Sequence, residues 1–202
     1  MGLIVKENGN GGFEPLPEGV HIAVCYGLID LGEQYSANFD TYANKVLVLW
    51  QIPSETYEAD GEQKPRTISK EYTMSLNSKA VLRKHLEAWR GKSFTDEELE
   101  GFNLTNIIGV GCQLQIIHKT SGNGKPYANI SAIMALPKGM KIDYPAETAI
   151  FDMDEENCWA QLIGLPEWIV TKVHESTEYK TWVTDQELPF KEDEDLESEL
   201  NF

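Results

Sequence analysis

NSKAVLRKHLEAWR, residues 77–90, is where the hydrophobic pattern switches from the alternation of strands to the spacing of a helix. Val81, Leu82, Leu86 and Trp89 fall on one helical face, Asn77 or Ser78 can cap its start, and Gly91 follows its end. Strands are expected on both sides of it. Upstream, residues 20–31 (VHIAVCYGLIDL) mix β-branched and apolar side chains around Gly27, which predicts a long strand bent at a bulge. Residues 45–52 (KVLVLWQI) form a dense apolar strand, and residues 66–74 (RTISKEYTM) alternate as a half-exposed strand should. The polar stretch between them, SETYEADGEQKP, reads as a loop. Downstream, Thr95 and Glu98 make a capping box for a second short helix, and residues 111–120 and 127–136 flank the turn cluster SGNGKP as a β-hairpin. Residues 159–173 predict one or two further short helices.

Three strands, a helix and a two-stranded hairpin follow the order of an OB barrel. The expected fold is therefore mainly β: a five-stranded OB-like barrel with a helical insertion between strands 3 and 4, extra C-terminal helices and a disordered acidic tail. The chain divides into a flexible arm rich in Gly, Asn and Pro (1–18), the OB domain with its helical extensions (19–174), and the tail (175–202).

A hydrophobic content of 41% over 202 residues is enough for a real core. No stretch approaches the ~18 consecutive apolar residues of a membrane span, and MGLIVKENGNGG has neither the basic nor the apolar part of a leader, so a cytoplasmic protein with no membrane partner is expected. Cys25, Cys112 and Cys158 are far apart and lack metal or redox spacing, which predicts buried free thiols.

The formal charge of −16 argues at first against nucleic acid, since phosphate binding works through Lys and Arg displacing counterions. Its distribution argues otherwise. Residues 175–202 hold ten acids against Lys180 and Lys191, half of the net charge. Residues 64–92 hold eight basic residues against Glu71 and Glu87, and residues 111–142 hold Lys119, Lys125, Lys138 and Lys141 with no acid. Single-strand binding needs such cations together with flat aromatics, each base stack contributing roughly 1 to 3 kcal/mol. Trp50 and Tyr72 lie on the second and third strands among Lys45, Arg66 and Lys70, and the hairpin adds Lys119, Lys125 and Tyr127. Arg83, Lys84 and Arg90 on the helix complete the expected DNA-contact set. The competing reading puts Trp50 and Tyr72 in the core and makes the helix an amphipathic plug.

The C-terminal segments TDQELPF and KEDEDLESELNF are too polar to bury themselves, yet they contain exposed anchors. Leu188, Pro189, Phe190, Asp193, Asp195 and Phe202 are the residues a basic, apolar-lined pocket on another protein would take. A solubility tail is the plain alternative.

An OB-like body followed by such a tail resembles the phage-type single-stranded-DNA-binding proteins. DQELPF and ELNF are similar to the acidic, phenylalanine-tipped ends of bacterial and phage members, although Pro189-Phe190 is internal here and the chain ends Asn201-Phe202. LRKHLEAWRGKSFTDEEL, NIIGVGCQLQIIHK and GKPYANISAIMALPKG resemble blocks in phage and mobile-element proteins. The resemblance implies protection of single strands during replication or recombination, with the tail recruiting other replication or recombination proteins. Association with further copies of the chain is compatible with such a barrel.

No catalytic motif is visible. His21, His85, His118 and His174 are scattered, and SGNGK lacks the spacing of a phosphate loop, so neither enzymatic activity nor a cofactor is expected. Two rival classes remain: an acidic adaptor or DNA mimic, and a nuclease in which Asp152, Asp154 and Glu155 hold a metal.

Overall fold

Strands β1 (Gly19–Ser36) and β2 (Thr41–Ala59) form the antiparallel spine of a six-stranded sheet. The computed structural model describes residues 14–37, 40–59, 61–143, 145 and 147–187. The path continues through β3 (Glu62–Thr73), β4 (Gly111–Thr120) and β5 (Pro126–Ala135) in the order β3-β2-β1-β4-β5, all neighbours antiparallel. A short β6 (Ala149–Phe151) runs parallel to β1 beside Gly27–Ile29.

The apolar run on β2 is unbroken because both faces of the sheet are covered there. Val46, Val48, Trp50 and Ile52 enter one core with Ile68, Leu114, Ile116 and Ile133. Leu47 and Leu49 enter a second with Ile29, Phe151, Leu162, Ile169 and Val173. Helix α1 (Val81–Arg90) packs Leu82, Leu86 and Trp89 against the first core, and the Trp89 indole N–H donates to the Gly111 carbonyl at 2.9 Å. The second core is built by a 3-10 segment (Cys158–Gly164) and helix α3 (Glu167–His174), followed by α4 (Thr177–Glu187).

Several local expectations hold. The ladder shifts register between Cys25 and Gly27, where the bulge was expected. Gly27 is required by close approach: a Cβ there would lie 2.7 Å from Leu49 Cδ1 and 2.8 Å from the Ala149 carbonyl oxygen. Gly91 ends α1 with φ of 67°, and Thr95 and Glu98 form the capping box of α2 (Asp96–Glu100). All three cysteines are buried and free. Burial pushes the Cys25 thiol up to about 12, with its bond to the Gly27 carbonyl a smaller opposing effect.

Other expectations are corrected. Residues 54–65 are not a loop: β2 and β3 run on to Ala59 and Glu62 and turn around Gly61. Helix α1 starts after Ala80, because Asn77 closes a turn of its own by accepting from the Lys79 N–H, and Val81 is exposed. The sheet is open, since no ladder joins β3 to β5 among the described residues. At that seam Lys70 Nζ donates to the Ile130 carbonyl at 2.9 Å, and the arm inserts there as well. Leu16 is buried in the first core, Arg66 donates to the Glu14 carbonyl, and His118 Nε2 lies 2.8 Å from the Leu16 carbonyl oxygen. Residues 14–18 are thus part of the packed body. At the other end the body extends beyond 175, because α4 is helical to Glu187 and Ser176 is fully buried. The tail anchors Leu188, Pro189, Phe190, Asp193, Asp195 and Phe202 lie outside the described residues. Among the described residues no helix is long and apolar enough to cross a membrane.

Candidate nucleic-acid interface

Strand β3 buries Ile68 and Tyr72 and leaves Thr67 and Glu71 exposed, as alternation dictates. Two clefts meet at Thr67. One, of about 270 Å³, runs between β3 and β5 and is lined by Thr67, Ile68, Ser69, Pro126, Tyr127 and Ala128, with Pro15 and Leu16 from the arm. The other, of about 380 Å³, is lined by Gln51 and Tyr57 of β2, by Glu62, Lys64, Pro65 and Thr67 of β3, and by Glu147.

The ladders place a cation beside the exposed tyrosine of each cleft. Tyr57 is the cross-strand partner of Lys64, and Tyr127 is the partner of Lys119. Opposed residues in an antiparallel pair present their side chains on one face, so each pair joins a stacking surface to a positive charge. Tyr57 is 47% exposed and Tyr127 45%. At the junction, burial raises the Tyr26 hydroxyl above the usual phenol range; its hydrogen bond with Thr67 opposes this, and the nearby Tyr57 adds to it.

The expected contact residues scatter. Trp50 is 0% exposed, and its indole N–H meets only the weakly accepting Cys112 thiol among the described residues. Tyr72 is 4% exposed and its hydroxyl lies 2.8 Å from His85 Nδ1. Neither can stack a base, because a strand covered on both faces and a strand edge sealed by α1 turn these rings inward. Three expected cations are tied to carboxylates: Lys45 to Glu71 at 3.7 Å, Arg83 to Glu87 at 3.0 Å, and Arg90 to Glu98. Arg90 also sits over the Phe94 and Phe102 rings, 4.5 and 5.2 Å from their centroids. Lys70 is half-buried, and burial lowers its pKa first, with the neighbouring Lys119 second.

Arg66, Lys70, Lys119 and Tyr127 are therefore the expected residues that the fold gathers at the β3–β5 seam, with Lys125 exposed in the adjoining turn. Lys84 is exposed on α1. Tyr57, Lys64 and Tyr26 were missed, although Asp60-Gly61 is itself a hairpin signal. Also missed was the ring pair Tyr35–Tyr42 at the β1–β2 hairpin end, 5.2 Å between centroids, with the Tyr35 hydroxyl donating to Asp40.

The acids of the rival nuclease reading lie in the turn after β6. Asp152, Asp154 and Glu155 are exposed, and Asp152 Oδ1 accepts from the Asp154 N–H at 3.0 Å. Among the described residues no group of three or more His, Cys, Asp or Glu side chains is placed to hold a metal ion. Compared with known families and with curated proteins, the chain matches neither a family model nor a curated sequence.

Proposed function

We propose that this protein binds single-stranded DNA, as an OB-type barrel whose β3–β5 seam and adjoining outer face form the strand-binding groove. The observation that carries the reading is the pairing of exposed tyrosines with lysines, Tyr57 with Lys64 and Tyr127 with Lys119, along two clefts that share Thr67. Bases stack on the rings while the lysines follow the phosphates. The strand order β3-β2-β1-β4-β5 supports the reading, being the neighbour order of an OB barrel with its third and fifth strands left unjoined, and in such a barrel the 121–125 turn would belong to a loop used for oligonucleotides. Stacking tolerates any base, which suits the protection of exposed strands in phage or mobile-element replication and recombination, in the cytoplasm of a bacterial host. Residues 188–202 recruit replication or recombination proteins through their acids and phenylalanines. The reading includes no catalytic step.

The test is a fluorescence-anisotropy titration of a labelled oligo-dT of about 30 nucleotides, with a duplex of equal length as control. Tight binding to the single strand and weak binding to duplex are expected, with log K falling against log salt by about 0.7 per phosphate neutralised. No binding at low salt, even after removal of residues 188–202, would overturn the proposal. A second reading, the acidic adaptor or DNA mimic, is favoured by the burial of Trp50 and Tyr72 and by the carboxylates that hold Lys45, Arg83 and Arg90. It predicts that negative result.

A further inference from the structure

The C-terminal helices flank an open apolar hollow that the groove does not use. It measures about 450 Å³ and lies between the 3-10 segment, α3 and α4. Trp159 stands 5.2 Å from Tyr179 and 5.6 Å from Trp182, centroid to centroid, and His174 stacks face to face on Tyr179 at 3.9 Å. On its edge Ile163 is 92% exposed. An aromatic-walled hollow beside a bare isoleucine offers an apolar seat for one anchor side chain.

Charge decides what can fill it. Residues 152–187 hold nine acids against Lys172 and Lys180, a net of −7, and Glu167 is one of the residues that line the hollow. Both lysines are engaged elsewhere, Lys172 on the Glu71 carboxylate at 2.7 Å and Lys180 on the Glu175 carbonyl at 2.6 Å. The chain's own residues 188–202 carry six acids and one lysine, so seating them here sets like charge against like. A second copy would bring another −16.

We propose that this hollow docks a basic segment of a partner protein, a Lys- or Arg-rich helix or peptide that inserts an aromatic or branched aliphatic anchor between Trp159 and Trp182. The apolar walls supply affinity through the anchor, while Glu167 at the hollow and the net negative charge of residues 152–187 select a cationic partner and speed its arrival. The site is separate from the groove at Thr67 and does not rest on the DNA-binding reading.

The experiment uses the full chain and three labelled peptides of about 14 residues: one with apolar anchors among lysines, one with the same anchors among glutamates, and one with the lysines kept and the anchors changed to serine. Only the first should bind tightly, and Ile163→Ser or Trp182→Ala should each weaken it about tenfold. Ile163 is too exposed for its replacement to disturb the fold, and oligo-dT binding should be unchanged in both variants. Equal binding by the serine peptide would reduce the effect to bulk charge and overturn the proposal. So would failure of all three peptides to bind, or unchanged affinity in the Ile163→Ser chain. Tighter peptide binding after removal of residues 188–202 would make the tail the occupant. Dimerisation by light scattering that Ile163→Ser abolishes would make it a second copy. Either result overturns the partner assignment.

Discussion

Replacing Tyr127 with alanine and, separately, Trp50 with phenylalanine sets the surface role of one aromatic against the core role of the other. Tyr127 is 45% exposed and lines the β3–β5 cleft, so its truncation should change stability by no more than about 0.5 kcal/mol. The same change removes one base stack, roughly 1 to 3 kcal/mol, which is about 5- to 150-fold in Kd. Trp50 is fully buried against Trp89, 5.9 Å between ring centroids, so a smaller ring leaves a gap costing about 1 to 3 kcal/mol. Its indole N–H meets no oxygen or nitrogen acceptor among the described residues, only the Cys112 thiol, a weak acceptor, so removing that buried donor returns about 1 kcal/mol. The two terms oppose each other, so Trp50→Phe should stay folded, shift the urea midpoint modestly and leave DNA affinity unchanged. Urea denaturation followed by circular dichroism, with oligo-dT anisotropy on the same preparations, reads both quantities. The reasoning fails if Tyr127→Ala binds within about twofold of the parent, or if folded Trp50→Phe loses more than about fivefold.

Gly27→Ala should destabilise by about 1 to 3 kcal/mol in chemical denaturation, because its Cβ would meet Leu49 Cδ1 and the Ala149 carbonyl and push β6 off β1; an unchanged midpoint would contradict that packing. Burial, and then the nearby Lys70 charge, hold His85 down to about 4 against an ordinary value of 6.5. Between those values the unfolded chain takes a proton that the folded chain refuses, so this contribution is complete above about pH 6.5 and is lost as pH falls towards about 4. Urea midpoints from pH 7 to 4.5 should drop less steeply for His85→Asn than for the parent, and parallel profiles would refute the assignment. Removing residues 188–202 deletes a net charge of −5 and should leave DNA affinity equal or higher at low salt, with the difference shrinking as salt rises. A large loss of affinity would show that these residues contribute to the groove.

Element types were legible where local chemistry dominates. The SGNGKP turn fixed the β4–β5 hairpin, and the Thr95–Glu98 spacing fixed a helix start, because each depends on a few adjacent residues. Facing was not legible on β2. A run such as KVLVLWQI has no polar alternation to separate its faces, and the reason, coverage on both sides, lies in residues 149–173, which reach β1 and β2 only in three dimensions. Trp50 looked available for that reason alone. Cation availability was hidden in the same way, since Glu98 lies beyond α1 and the Glu14 carbonyl lies in the arm. What could have been read and was not is Asp60-Gly61, whose hairpin brings Tyr57 opposite Lys64.

Coverage of the sheet also limits how much strand the proposed groove can hold. An OB barrel ordinarily offers the outer face of its second and third strands along their length. Here Leu47 and Leu49 of that face are buried under the 3-10 segment and α3, and Lys172 of α3 reaches across to Glu71 on β3 at 2.7 Å. The open length is confined to the far end of β2 and β3, from Tyr57 to Thr67, and to the seam that leads from Thr67 to Tyr127. Two exposed rings with their paired lysines correspond to a footprint near the short end of the range for single barrels, about 4 nucleotides. In an oligo-dT length series, affinity per protomer should therefore level off at about 4 to 6 nucleotides. A rise that continues to about 16 nucleotides would mean that α3 leaves the sheet when DNA binds, and the packing of Ile169 and Val173 in the second core makes that displacement costly.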